Sequence, residues 1–129
     1  MNDKTVFHTA AAPQAIGAYS QAVRAGDLVF ISGQIPLDPD TGAPVSGGAE
    51  AEIDRAFRNL AAVCEAAGGA PDDIVKLTVY LTDLGDFGLV NAAMEKMFSR
   101  PFPARAAVGV AALPKNVRVE VEAILRAPR

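Results

Sequence analysis

The run VRVEVEAIL, residues 117–125, constrains the fold more than any other stretch of the chain. Val117, Val119 and Val121 alternate with Arg118, Glu120 and Glu122, and an extended backbone sends these two sets to opposite faces. A strand with one apolar face needs neighbours for its backbone and a cover for that face. Helical spacing over 49–67 supplies one cover, with Ile53, Phe57, Leu60, Cys64 and Ala67 on one side and Glu52, Arg55, Arg58 and Glu65 elsewhere. Gly68 and Gly69 stop that helix.

The other elements follow from the same two periods. IVKLTVYL (74–81) reads as a strand whose Ile74, Lys76, Thr78, Tyr80 series opposes Val75, Leu77, Val79 and Leu81. A second helix, capped by Asp83 or Asp86, runs through Phe87, Val90, Met94, Met97 and Phe98 until Arg100, Pro101 and Pro103 end it. Residues 104–110 alternate as a further strand. Ahead of the first helix lie KTVF (4–7), AVRA (22–25) and LVFISGQI (28–35), the last two forming a hairpin about Gly26 and Asp27. Residues 36–48 are dense in turn formers. The long irregular stretch 8–21 is of the kind that is functional or tied down at an interface.

This order describes an α+β fold, a single domain over 1–129 with a mixed six-stranded sheet backed by two helices. The uncovered face still carries Val, Ala and Thr. Burial against copies of itself would complete it, so a closed homo-oligomer is expected.

Charge and composition exclude several functions. A net charge of −3 repels phosphate backbones on average, and Lys76, Lys96 and Lys115 are scattered, so nucleic acid is not the expected partner. The lone Cys64 forms no internal disulfide, no apolar run approaches a membrane span, and the N-terminus lacks a signal-peptide pattern; a reducing, cytoplasmic setting is expected. His8 is the one histidine and has no accompanying ligand cluster, so no metal site is expected. Nucleotide-binding fingerprints are missing from the sequence as well.

Six positions can carry small-molecule chemistry. A hairpin of the last two strands across AALPKN would set Ala107 opposite Glu120, with Arg105 along the same side. Arginine offers a planar fork for a carboxylate, and glutamate can hold or deprotonate a water; the same pair also reads as an ion pair on a solvated sheet edge. Tyr19 in GAYSQ either caps a pocket or anchors its loop. Ser32 and Gly33 either present a hydroxyl and a bare amide to a ligand or mark a bulge. Asn91, beside the apolar stripe of the second helix, must find partners in backbone or ligand.

Taken together, APQAIGAYSQAV, ISGQIPLDPDTG, NLAAVCEAAGG, VKLTVYLTDLGDF, Val90-Asn91, Pro103-Ala104-Arg105 and LPKNVRVEVEAI resemble the RidA (YjgF/YER057c/UK114) family over about residues 10–125. The resemblance implies a chorismate-mutase-like fold assembled as a homotrimer with clefts between subunits. It also implies hydrolysis of 2-imino and enamine acids, such as 2-iminobutanoate and 2-iminopropanoate, to 2-oxo acids and ammonia without a cofactor. On that pattern Arg105 binds the substrate carboxylate and Glu120 positions the attacking water, while Tyr19, Ser32, Gly33, Asn91 and Ala107 line the pocket. Ala107 replaces a frequent cysteine, Met94 a common aromatic, Glu52 and Arg55 a glutamine-rich helix start, and Ala18 a usual proline. Rival readings of the chain are a deaminase of another enamine such as 2-aminomuconate, a non-enzymatic trimer that binds small carboxylates or acts as a holdase, and the endoribonuclease or translation-inhibitor behaviour described for other relatives.

Overall fold

The computed structural model describes residues 3–128. Its middle is the alternating C-terminal strand, β6 (Val119–Arg126), which buries Val119, Val121, Ala123 and Leu125 and keeps Glu120, Glu122 and Ile124 on the other face. β6 runs antiparallel to both β3 (Leu28–Gln34) and β4 (Ile74–Leu81). β1 (Thr5–Phe7), β2 (Ala22–Ala25) and β5 (Ala104–Gly109) complete a six-stranded mixed sheet in the order β1-β2-β3-β6-β4-β5.

Helix α1 (Gly48–Ala66) covers one face with Ile53, Phe57, Leu60, Val63 and Cys64, all buried. Removing a side chain such as Phe57 or Leu60 from water contributes about 1.5–3 kcal/mol. The helix stops as expected, with Gly68 at φ +86° and its N–H donating to the Glu65 carbonyl. Asn59, fully buried, donates from Nδ2 to the Ile35 and Leu37 carbonyls and accepts from Arg55 Nε, which binds the loop after β3 to the helix. Helix α2 (Phe87–Met97) packs beside α1 through Val90 and Met94.

Four expectations require correction. First, β5 and β6 do not form a hairpin. The β4–α2–β5 crossover returns β5 parallel to β4 on the outer edge, and β6 takes the inner edge, so β4 lies between them. Second, Ile74 is buried and Val75 is 45% exposed, the reverse of strict alternation, because the β4–β6 register shifts between Ile74 and Lys76. Third, neither aspartate caps α2 through its side chain: Asp83 accepts from the Gly85 N–H in the preceding 3-10 turn, and Asp86 makes no capping bond. Fourth, Glu52 is buried. Its carboxylate accepts the backbone N–H and the guanidinium of Arg118, which anchors the first turn of α1 to the residue just before β6.

Candidate active site

Glu120 is held on the uncovered face of the sheet, opposite Tyr80 on β4. On its other flank the β3–β6 register slips by one residue between Ile31 and Gln34, so Ser32 and Gly33 form a bulge. Gly33 meets the Glu120 side chain closely: a β-carbon there would lie 2.8 Å from the Glu120 Cδ. Gly33 is thus the wall that permits the carboxylate its place, and the bulge is also where a bare backbone reaches a polar group. Of the two readings of Ser32-Gly33, the bulge is the one that the strand register shows.

Burial raises the Glu120 carboxyl above the ordinary carboxylate pKa, and the nearby Glu122 charge adds to the effect. Tyr80 Oη donates to Glu122 Oε1 at 2.5 Å, which raises the tyrosine pKa as well, since losing the proton would place two negative charges together. Ser32 turns towards the loop over 8–21: its Oγ donates to the Ser20 carbonyl at 2.5 Å and its N–H to the Gln21 carbonyl at 2.9 Å. Gln21, 2% exposed, donates to the Thr9 and Pro13 carbonyls and accepts the Thr9 N–H. The long loop is therefore tied down, and exposed Tyr19 sits one residue from the pinned Ser20.

Arg105 belongs to the other face. It pairs in register with buried Leu77, and among the described residues its side-chain hydrogen bonds and ring contact are with α2: Nη1 donates to Asn91 Oδ1 at 2.5 Å and to Met94 Sδ at 3.4 Å, and the guanidinium carbon lies 4.6 Å from the Phe87 ring centroid. Asn91, Met94, Glu95, Phe102, Pro103 and Arg105 line an open cleft of about 330 Å³. Ala107, half-buried beside Val79, is two residues further along the same face.

The fold therefore gathers Ser32, Gly33 and Glu120, with Tyr19 nearby, on one side, and Arg105 and Asn91 on the other. Within one chain Arg105 and Glu120 do not meet. They are separated by β4, about 10 Å across the sheet, and their register partners Leu77 and Tyr80 are three residues apart. They also point to opposite faces, so the same-side placement and the edge ion pair are both overturned. The sequence pattern gave Phe87 and Met94 a place on the second helix but no part in the site, and gave no role to Tyr80 beside Glu122. A signal for the first pair existed in the spacing of positions 87, 91 and 94, which is one helix stripe. Cys64, the remaining nucleophile candidate, is inert in the core, its thiol pushed up to about 12 mainly by burial.

Known proteins share this arrangement of elements. The Endoribonuclease L-PSP family profile matches residues 9–127. RidA from an Antarctic Psychrobacter superposes with a TM-score of 0.91 at 49% identity, covering 95% of this chain and 98% of that one. The chain belongs to this RidA family. Among curated relatives of this RidA-family protein, the 2-iminobutanoate/2-iminopropanoate deaminase of Dermatophagoides farinae is 46% identical over 125 residues, 97% of this chain and 98% of the relative. TdcF from E. coli, solved with bound serine, has a TM-score of 0.88 at 38% identity and is matched over 96% of this chain and 99% of its own.

Proposed function

We propose that this RidA-family protein hydrolyses 2-imino acids and their enamine tautomers to 2-oxo acids and ammonia, in a homotrimer whose sites lie between subunits. The observation that carries the reading is the division of the candidate site: Arg105 and the Glu120 carboxyl, with its raised pKa, stand on opposite faces of one sheet. A second copy is required to bring them together. Support for such a copy comes from the uncovered face, where Val6, Leu28, Phe30 and Val108 are each between 38% and 58% exposed. The deaminase name of the house-dust-mite relative supplies the substrate class.

In this scheme Arg105 takes the substrate carboxylate, and Glu120 of a neighbouring copy orients a water against C2 of the protonated imine. As the water oxygen bonds to C2, the C=N π electrons pass to nitrogen and Glu120 accepts the water proton. Glu120 then returns that proton to the amine nitrogen; as the hydroxyl gives up its own proton to the carboxylate or to water, the O–H electrons form the C=O bond and the C–N electrons leave with nitrogen, which yields the 2-oxo acid and ammonia. A protonated imine carbon is already electrophilic, so positioning and one base suffice and no cofactor enters. Tyr19, Ser32, Gly33, Asn91 and Ala107 line the pocket, Ser32 through the loop that it pins.

The test is ammonia and 2-oxo acid release from freshly generated 2-iminobutanoate. Wild type is expected to exceed the spontaneous rate, and Arg105→Ala and Glu120→Ala each to lose about 10²-fold or more in kcat/KM. Unfolding and refolding the two variants together should restore activity, because a random cyclic trimer regains about a quarter of its sites intact when each site draws one residue from each neighbour. Inactive wild type would overturn the substrate class, and a mixture as inactive as its components would overturn the interfacial site.

A further inference from the structure

We propose that α2 is a cradle for Arg105, in which Phe87 and Met94 are positioning residues that, with Asn91, hold the guanidinium over an aromatic ring and by its Nη1 end. A substrate carboxylate is then taken by Nε and Nη2. The inference rests on the carboxylate role proposed above for Arg105.

Positions 87, 91 and 94 are four and three residues apart, so the helix places all three side chains on one stripe. Each of them touches the same guanidinium. Arginine has five N–H donors, two of them on Nη1. Those two are occupied by Asn91 Oδ1 and Met94 Sδ, whereas among the described residues neither Nε nor Nη2 has a partner. The Nε–H and one Nη2–H are parallel and spaced to match the two oxygens of a carboxylate.

The chemistry of the three holders suits the task. None is charged, so the cation keeps its full attraction for an anion, and Glu95 shares the cleft without pairing to it. The guanidinium carbon lies over the face of the Phe87 ring, an attraction that resists swinging of the group away from the helix. A long side chain has many rotamers to lose when it is fixed in one geometry. Immobilising it beforehand removes much of that loss from the binding step.

The cradle is tested by binding and by spectroscopy on the full-length protein. The probe is 2-oxobutanoate, a stable carboxylate, titrated into wild type, Phe87→Leu, Phe87→Tyr and Met94→Leu. Phe87→Leu is expected to weaken binding about 3- to 30-fold, Phe87→Tyr to restore it, and Met94→Leu to weaken it a few-fold. In deamination assays the loss should fall on KM and leave kcat nearly unchanged. Wild-type Arg105 should show separate Nη1 and Nη2 resonances from hindered rotation, with Nε–H shifting on binding. Phe87→Leu and Met94→Leu binding like wild type, or averaged Nη resonances in wild type, would overturn the cradle alone. Wild type that binds no 2-oxo acid would overturn the carboxylate reading and the cradle with it. A Phe87→Leu chain that fails to fold still leaves Met94→Leu and the wild-type spectrum to decide.

Discussion

The two halves of the candidate site are built by different means. Arg105 is fixed by side chains of a single helix, through a hydrogen bond, a thioether contact and an aromatic face. Glu120 is fixed by backbone: a bulge on β3 that presents Gly33, and a register that sets Tyr80 opposite. The difference has a physical cause. In the proposed reaction the cation meets a substrate anion, and it gains from being oriented without being neutralised, which uncharged helix side chains do. The proposed proton acceptor gains from partial desolvation, and a bare glycine lets the sheet close around the carboxyl without supplying a counter-charge.

The sharpest way to separate the halves is Gly33→Ala. The added methyl would displace the Glu120 carboxylate, and a misplacement of about 1 Å costs about 10²-fold in turnover. The expected loss lies in kcat, with 2-oxobutanoate affinity unchanged, which is the opposite pattern to that of Phe87→Leu. If Gly33→Ala weakened binding and spared kcat, the two halves would not be separate in function.

A smaller effect concerns the acid limb of the pH–rate profile. With Glu120 as the base of the proposed reaction, turnover should rise with pH through its elevated pKa, above the ordinary carboxylate range. Glu122→Gln removes a negative neighbour that holds this pKa up, so the acid limb should move to lower pH. A limb that stays in place or moves to higher pH would show that Glu122 does not act on Glu120.

The smallest effect is on stability. Because the folded-state pKa of Glu120 is raised, its protonated form is the one the fold favours; that contribution is complete below the unfolded-state pKa and is lost as pH rises through the folded value. Glu120→Gln should therefore melt above wild type at neutral pH, with the gap closing on acidification, as followed by thermal unfolding across a pH series. A gap that widened in acid would mean that the carboxylate, not the carboxyl, is the favoured form.

Much of the architecture was legible before any coordinates. The helix over 49–67 and its glycine stop, the hairpin about Gly26 and Asp27, and the alternation of the last strand each arise from neighbours a few residues apart. The corrections came where distant segments compete. The helical spacing put Glu52 off the apolar stripe, and nothing local shows that Arg118 would fold against it from 66 positions away. Ile74 and Val75 exchanged faces because β6 imposed a register that local alternation does not encode.

The site shows the same division. Sequence by itself determined which residues are chemically apt, because an arginine fork, a strand glutamate and a bulge glycine are properties of residue type and short-range pattern. Only the tertiary structure decided where they stand. The crossover through α2 put β5 outside β4 and β6 inside it, which set Arg105 and Glu120 on opposite faces. Strand order depends on which edges remain free after the crossover closes, and that is a long-range property with no signature in the spacing of either segment.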